Sequence, residues 1–284
     1  MSSSPLNPAS DPSPQPTPRR STAQAWYRPT LSPEHGVYVI LVVSFLTGAA
    51  AALQWNWPTT LALIAAFCGF QAEHPLVLQI KQRRSLKPRF LTWGGLYSGV
   101  AIALALYLYW QQGTLLSPLL WVYLGAIAAF LFDAISVFHR EQKSVLNELI
   151  TFFAVCLSAP FAYVVTTGTA SPAVVGLWLL NSLFFSSAIF TVKFRKDKTH
   201  PATPSLVYHA IATSIVVGLW FAGGLSLLTA CAFGIVLLKF GLILWQRNWY
   251  CTTTIQWVAL LETSSAFVFL LMVTLSVLPA HLPT

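Results

Sequence analysis

The side chains best suited to chemistry in this sequence lie in a short polar stretch between two long apolar runs. Residues 133–148 contain three of the chain's eight acidic residues, together with imidazole, guanidinium, ammonium and amide groups: Asp133, Glu141, Glu148, His139, Arg140, Lys143 and Asn147. A charged group in hydrocarbon costs about 2.5–3.5 kcal/mol on insertion scales unless it is paired or hydrated. Their concentration where two apolar runs meet therefore predicts a hydrated site at one face of a membrane.

Helical spacing allows two interpretations of this stretch. Arg140, Ser144 and Glu148 recur at intervals of four, so a helix through them would place all three on one face. Alternatively, Ser144 caps a helix that begins after it, with Asn147 at the third position of a weak capping box. Asn147 and Glu148 lie deeper in the membrane, where solvation is poorer, and we predict catalytic roles for them. The predicted substrate-binding side chains around them are Asp133, His139, Arg140 and Lys143.

Two similar acid–imidazole pairs lie at the ends of the first two apolar runs. Glu34 and His35 precede the first run, and Glu73 and His74 lie near the end of the second. Such a pair can act as a general base with its orienting partner, or as metal ligands. The alternative is ordinary hydrogen bonding at a helix end near the membrane surface. We predict catalytic roles for Glu73 and His74, and substrate binding for Glu34 and His35, which lie nearer water.

The remaining charged groups have structural alternatives. Asp133 and Glu262 lie a turn or more inside apolar runs, where a lone acid usually pairs with a base, and Lys239 lies at a similar depth. The basic stretch 81–89, which includes Arg84, either binds an anionic head group or diphosphate or serves only to orient the protein.

Composition places the chain among integral membrane proteins. Of its 284 residues 56% are hydrophobic and 8% are charged, whereas soluble proteins carry about 25% charged residues. The net charge of +8 is explained by membrane orientation rather than by nucleic-acid binding. Four cysteines lie far apart and form no CxxC pair, which argues against a disulfide framework and a zinc site.

A membrane span needs roughly 20 mainly apolar residues. Residues 1–32 are rich in Ser and Pro and are predicted to form a disordered cytoplasmic tail. Residues 33–284 are predicted to form an all-α polytopic domain of about nine spans, with eight as the alternative because the seventh and eighth are closely joined. The nine segments are 37–55, 58–79, 90–110, 117–138, 145–166, 173–193, 205–224, 226–245 and 257–277.

The distribution of Lys and Arg residues predicts how the chain is oriented in the membrane. All 16 Lys and Arg residues fall in the tail or near the loops after even-numbered spans, whereas the loops near residues 55, 111 and 167 carry no charge. The positive-inside rule then places the N-terminus in the cytoplasm. Most of the acids and five of the six histidines fall on the same side. We therefore expect a multi-pass protein of a bacterial inner membrane or a thylakoid membrane.

Two stretches resemble the YwiC-like family of bacterial membrane proteins. They are Glu34-His35-Gly36, leading into the first span, and His139-Arg140-Glu141 with Ser144 and Asn147-Glu148-Leu149. The resemblance covers about residues 33–277. The family is largely uncharacterised, so the resemblance implies a membrane protein without naming a reaction.

The plan of the chain also resembles UbiA-type intramembrane prenyltransferases. That family has nine spans, a cytoplasmic N-terminus and an active site at the cytoplasmic face, built from the loops after spans two and six. The stretch from Glu73 to Arg89 falls where the family has an aspartate-rich motif followed by basic residues, and residues 140–144 fall where it has a basic loop. The resemblance implies Mg²⁺ as a possible cofactor. Here each of the two loops has one acid, Glu73 or Asp197, so the ion would also need substrate phosphate oxygens.

Two functions of different classes remain open from the sequence. The first is a UbiA-like enzyme that binds an isoprenoid or other lipid-like molecule in an apolar chamber and modifies it at the cytoplasmic face. The second is a transporter, a lipid flippase or a non-enzymatic factor in the assembly of a membrane complex. The absence of a convincing internal repeat and of charge in the outer loops argues against transport of ions or polar solutes.

Overall fold

The computed structural model describes residues 27–82, 85–196 and 202–278, and within these ranges it contains helices and no strand. The expected all-α polytopic class is confirmed. The helices are α1 (His35–Ala51), α2 (Trp57–Lys81), α3 (Pro88–Gln111), α4 (Leu119–His139), α5 (Val145–Cys156), α6 (Ser158–Thr167), α7 (Pro172–Lys196), α8 (Thr203–Phe221), α9 (Leu227–Cys231), α10 (Gly234–Trp245), α11 (Arg247–Thr252) and α12 (Ile255–Ser276). Most of the predicted tail, residues 1–26, lies outside the described ranges, as do Arg84 and Asp197.

All nine expected apolar segments occur as helices in the described part of the chain. Eight are long and apolar enough to cross a membrane, and α1 is a shorter apolar helix of 17 residues. The seventh and eighth segments are separate, because α8 ends at Phe221 and α9 begins at Leu227. Between them Gly223 has a φ of +74°, which glycine adopts without strain.

Two of the apolar segments are each built from two helices. Residues Val145–Thr167 form one span that is interrupted at Leu157, between α5 and α6. Pro160 lacks an N–H, so it cannot donate to the carbonyl of Cys156 four residues earlier, and the regular helix is broken there. In the same way α9 and α10 together form the span Leu227–Trp245.

Side-chain caps fix several helix starts. The Asn56 side chain accepts from the backbone N–H of Thr59 at 3.0 Å at the start of α2. The Ser144 hydroxyl accepts from the backbone N–H of Asn147 at 3.2 Å at the start of α5. Ser144 is therefore the cap of α5, the second of the two interpretations of its spacing. Because α4 ends in a left-handed residue, Arg140 (φ +65°), the chain turns sharply between α4 and α5.

Helix α1 lies at the centre of the bundle, where it packs against α2, α5, α6, α7 and α12. Its approach to α6 is close because Gly48 has no side chain: a Cβ at this position would overlap the backbone carbonyl of Ala159. The Ser158 hydroxyl also donates to the carbonyl of Leu41 at 3.2 Å. Small residues that bring helix backbones together are typical of membrane helix interfaces.

The two ends of the bundle differ in charge. At one end α1 begins, α2 ends and α3 begins, and we call this end the basic face because it carries Lys81, Arg89, Arg140, Lys143, Lys193, Arg195 and Arg247. We call the opposite end the neutral face, since the connections at residues 52–56, 112–118, 168–171 and 222–226 contain no charged residue.

Candidate functional site

A cavity of about 620 Å³ lies among helices α1 to α6. We call it the chamber. Helix α3 packs mainly on α2, and α4 packs mainly on α5, so the cavity lies in the space between α3 and α4. The walls consist mostly of aliphatic and aromatic side chains, including Leu41, Phe70, Ile102, Ile127 and Phe161. The chamber is therefore suited to a hydrocarbon chain.

The two ends of the chamber have different chemistry. Glu73 on α2 and Asp133 on α4 are the only acidic or basic residues among its described lining residues, and both lie toward the basic face. At the other end the Tyr123 hydroxyl donates to the carbonyl of Ala105 at 2.9 Å, which joins α4 to α3. The ring of Tyr109 lies 6.4 Å from that of Tyr123. The chamber thus has an acidic end and an aromatic end.

Asp133 is held by a buried amide from the next helix. Its Oδ1 accepts a hydrogen bond of 2.9 Å from Nδ2 of Asn147 on α5. Asn147 Nδ2 also donates to the carbonyl of Gln142 at 3.2 Å. The side chains are nearly enclosed, with Asp133 9% and Asn147 4% exposed. Since both acceptors require an N–H donor, they fix the orientation of the amide.

Glu73 faces the chamber without a protein partner. No hydrogen bond or ion pair joins its carboxylate to another residue in the described part of the chain. Asp133 and Glu34 are both close enough to interact with it electrostatically. Gly69 lies one helical turn before Glu73 on the same wall of the chamber. Glu73 is therefore the carboxylate most accessible to a bound molecule.

Glu148 is positioned differently from its neighbour Asn147. Its carboxylate forms an ion pair of 2.7 Å with Nζ of Lys193 on α7, and each side chain is about one-third exposed (32% and 33%). Lys193 Nζ also lies 3.5 Å from the carbonyl of Lys143. The structure thus brings Asn147 together with Asp133 at the chamber, and Glu148 together with Lys193 at the junction of α5 and α7.

The other predicted site residues lie around the basic face. His74 is half-buried and does not line the chamber, and Lys81 is close enough to interact with it electrostatically. Glu34 and His35 are exposed at the start of α1, where the His35 ring lies 6.5 Å from that of Tyr38. Three more are exposed around the end of α4: His139, Arg140 and Lys143. Arg84 lies outside the described residues.

Sequence reasoning missed an uncharged hydrogen-bond ring near Glu34. Gln71 Nε2 donates to the Tyr38 hydroxyl at 2.8 Å, and this hydroxyl donates to the carbonyl of Ser32 at 3.2 Å. The backbone N–H of Ser32 in turn donates to Gln71 Oε1 at 3.2 Å. The ring holds the segment before α1 against α2. Gln71 carries no charge, and the available signal was only its polarity within an apolar run.

A metal would have few ligands at this site. Among the residues that the structure describes, no three His, Cys, Asp or Glu side chains are grouped closely enough to bind one ion. Glu73 and Asp133 supply two carboxylates to the same chamber. Mg²⁺ commonly takes one or two carboxylates and completes its shell with water and substrate phosphate. The donor set therefore fits Mg²⁺ only together with a phosphorylated substrate.

The fold and the chamber define a polytopic membrane protein with a chamber that is acidic at one end. Its residues 31–163 match the model of the YwiC-like protein family, which confirms the resemblance over this part of the chain. The resemblance was expected to cover residues up to about 277, but the match ends within α6, at residue 163. Every residue that lines the chamber, from Leu41 to Phe161, lies inside the matched range. No curated protein and no solved structure matches this chain.

Proposed function

We propose that the chamber binds a long-chain amphiphile, such as an isoprenoid or similar lipid, and that the protein modifies its head group. The tail would lie between α3 and α4, and the head would meet Glu73 and Asp133, with Asn147 acting through its hydrogen bond to Asp133. The observation that carries this proposal is the distribution of polarity: an apolar chamber with carboxylates at one end only.

The chamber's exposure supports access from the bilayer. Ile102, Leu106 and Ile127 line the chamber and are also 58%, 64% and 55% exposed, on helices that are apolar enough to cross a membrane. In a membrane these side chains contact lipid chains. A lipid tail can therefore enter sideways between α3 and α4 without crossing an aqueous phase.

The side chains at the acidic end suit proton transfer. Glu73 has no protein partner in the described part, so its carboxylate can accept a proton from a bound head group or return one to it. Asp133 is fixed by Asn147 and can orient the same group. The exposed cations Arg140 and Lys143 can attract an anionic head group. The substrate-binding role of Arg84, which lies outside the described residues, stays a prediction from the sequence. Where the substrate carries a diphosphate, Mg²⁺ would supply charge neutralisation between it and the two carboxylates.

The proposed orientation places the basic face in the cytoplasm of a bacterial cell, in accordance with the positive-inside rule. The chemistry would then occur at the cytoplasmic side of the inner membrane or of a thylakoid membrane. This arrangement suits a water-soluble second substrate or a charged head group.

The binding step is tested by filling the chamber. A Cβ at Gly69 would meet no atom within 4 Å, so Gly69→Phe places a ring in the chamber space. Gly95→Phe is the matched control, because Gly95 is equally exposed and equally free of neighbours but lies on α3 and does not line the chamber. Lipids that co-purify with the full chain are extracted and identified by mass spectrometry. We expect Gly69→Phe to lose an amphiphile that the wild type and Gly95→Phe retain; equal lipid content in all three proteins contradicts the proposal.

The chemical step is tested separately. Membranes with the full chain are incubated with labelled isoprenyl diphosphates and membrane extract, and products are separated by chromatography. We expect Glu73→Gln to reduce turnover by roughly 10²–10⁴-fold, as the loss of a general base does. Glu148→Gln tests the other acid for which the sequence predicts a catalytic role; because that carboxylate pairs with Lys193 outside the chamber, we expect a smaller loss of turnover than for Glu73→Gln. Lipid binding without turnover in the wild type would favour a lipid flippase or assembly factor instead.

A further inference from the structure

A second buried polar cluster lies among α7, α8, α10 and α12, outside the range that matches the family model. Nζ of Lys239 forms an ion pair of 2.7 Å with Oε2 of Glu262 and donates to the Ser187 hydroxyl at 3.3 Å. The Lys239 side chain is only 3% exposed. His209 lies within electrostatic range of both members of the pair. We call Lys239, Glu262, Ser187 and His209 the Lys239 cluster.

His209 is held rigidly by its surroundings. Its ring stacks on Phe240, with ring centroids 3.8 Å apart and planes inclined by 6°. Its Nδ1 lies 2.6 Å from the backbone carbonyl of Ser205. Because a carbonyl can only accept, Nδ1 carries the proton in the neutral ring, and Nε2 is left with a lone pair. The ring therefore presents a fixed acceptor.

The cluster leaves three hydrogen-bonding positions unused. His209 Nε2 and Glu262 Oε1 are buried, and neither has a partner in the described part of the chain. An ammonium group has three donors, and Lys239 uses two of them, for Glu262 and Ser187. Buried polar atoms without partners are rare, because each costs about the free energy of desolvation. Two acceptors and one donor thus remain close to a buried ion pair.

We propose that the Lys239 cluster is a binding site for a hydroxyl group, supplied by a water molecule or by a lipid alcohol. The hydroxyl oxygen accepts from Lys239 Nζ, and its hydrogen is donated to His209 Nε2 or Glu262 Oε1. A water molecule, with two hydrogens, satisfies all three positions, and an alcohol satisfies two. A buried water commonly makes about three such bonds.

The site can be reached from outside the bundle. The Glu262 side chain is 23% exposed, although its Oε1 atom is buried. The neighbouring outward side chains on α10 and α12 are large and apolar, with Leu238 77% and Leu260 55% exposed. A lipid alcohol would therefore approach through the hydrocarbon region. This site is independent of the chamber, which is built from α1 to α6.

The experiment uses the full chain in nanodiscs and substitutes His209→Phe, which keeps the stacking on Phe240 but removes the acceptor. With an occupied site, the variant loses several degrees in Tm, because the bound hydroxyl loses a partner. With an empty site, the variant loses only the hydrogen bond from Nδ1 to the Ser205 carbonyl, and the removal of the unpaired Nε2 offsets part of that loss, so its Tm falls less or not at all. His74→Phe is the control for replacing a histidine elsewhere, since His74 lies outside the cluster.

The two sources of the hydroxyl group are separated by the lipid. Phosphatidylglycerol carries hydroxyl donors and phosphatidylcholine carries none. A loss of Tm in both lipids supports a bound water only where the ¹⁵N resonance of His209 Nε2 also shows an accepted hydrogen bond, because the lost Nδ1 bond to Ser205 contributes in either lipid. A loss that is larger in phosphatidylglycerol supports a lipid alcohol. An unchanged or raised Tm in both lipids overturns the proposal.

A spectroscopic measurement covers the case in which His209→Phe does not fold. In a variant that retains His209 as its single histidine, the ¹⁵N resonance of neutral Nε2 shifts upfield when this atom accepts a hydrogen bond. We expect the shifted position. A resonance at the position of a free acceptor contradicts the proposed binding site. This measurement leaves the four residues of the Lys239 cluster unchanged.

Discussion

Two lysine–glutamate ion pairs of equal length differ in their surroundings. Lys193–Glu148 and Lys239–Glu262 both measure 2.7 Å, but the side chains of the first pair are about one-third exposed, whereas Lys239 is 3% exposed. Water screens the first pair and is largely excluded from the second. Equal geometry should therefore produce unequal effects on stability.

Substituting either lysine by methionine measures this difference. We expect Lys193→Met to change the free energy of unfolding by about 0–1 kcal/mol, as for exposed pairs. Lys239→Met leaves Glu262 largely buried without its partner, and we expect a loss of about 3 kcal/mol, the lower end for buried pairs because Glu262 keeps 23% exposure. Unfolding in mixed detergent micelles provides the measurement.

A double variant checks the cause of that loss. Lys239→Met combined with Glu262→Met removes both charges and should recover a large part of the stability that Lys239→Met loses. Equal losses for the two single lysine variants would contradict the role assigned to burial.

The Asp133–Asn147 hydrogen bond allows a second test at the level of single residues. Asn147→Leu removes the donor and leaves Asp133 Oδ1 without its partner. We expect a loss of about 1–3 kcal/mol in the free energy of unfolding, the cost of an unsatisfied buried acceptor. The double variant Asp133→Leu/Asn147→Leu should cost less than the sum of the two single variants. Additive costs would show that the two side chains do not interact.

At the scale of elements, α1 is central to how the halves of the bundle meet. It contacts the chamber helices α2, α5 and α6 and the later helices α7 and α12, while α5 and α6 also contact α7. Its contact with α6 depends on the absence of a side chain at Gly48, where any Cβ would overlap the Ala159 carbonyl. Backbone atoms cannot move aside as a flexible side chain can.

Gly48→Ala should therefore be strongly destabilising although alanine favours helices. We expect a loss of about 1–3 kcal/mol or more in the free energy of unfolding, as for overpacking in a tight interior. Gly99→Ala on α3 is the matched control, because a Cβ there meets nothing within 4 Å. It should be neutral or stabilising. Similar effects of the two substitutions would contradict the close packing of α1 on α6.

At the scale of the whole molecule, the central feature is the difference between the two faces. The charged loops and the acidic end of the chamber lie at the basic face, and the described connections at the neutral face are uncharged. A single orientation in the membrane then places both the chamber's acidic end and the Lys239 cluster near the same aqueous phase.

Cysteine labelling in intact cells tests that orientation. Starting from a variant without the four native cysteines, single cysteines are introduced as Ser85→Cys or Gln142→Cys at the basic face, and as Gln112→Cys or Thr169→Cys at the neutral face. A maleimide that cannot cross the membrane should label only the last two, until the cells are opened. Labelling of Ser85→Cys or Gln142→Cys in intact cells would reverse the orientation and place the proposed chemistry outside the cytoplasm.

The membrane class, the nine apolar segments and the unequal charge of the loops could be read from the sequence. Each depends on local composition: hydropathy over about 20 residues defines a span, and the lysines and arginines of short loops define a side. The cap at Ser144 and the pairing of Glu262 with Lys239 were also among the expected alternatives. These features require no knowledge of which helices are neighbours.

Only the tertiary structure decided which polar side chains share a site. Consecutive residues on a helix point about 100° apart, so Asn147 faces Asp133 on α4 while Glu148 faces Lys193 on α7. The same rotation separates Glu73, in the chamber, from His74, outside it. Sequence placed all four at one end of the bundle because depth follows from position along a span. The sequence could not show which of the four side chains face the chamber, because the neighbour that a side chain contacts depends on how the helices pack.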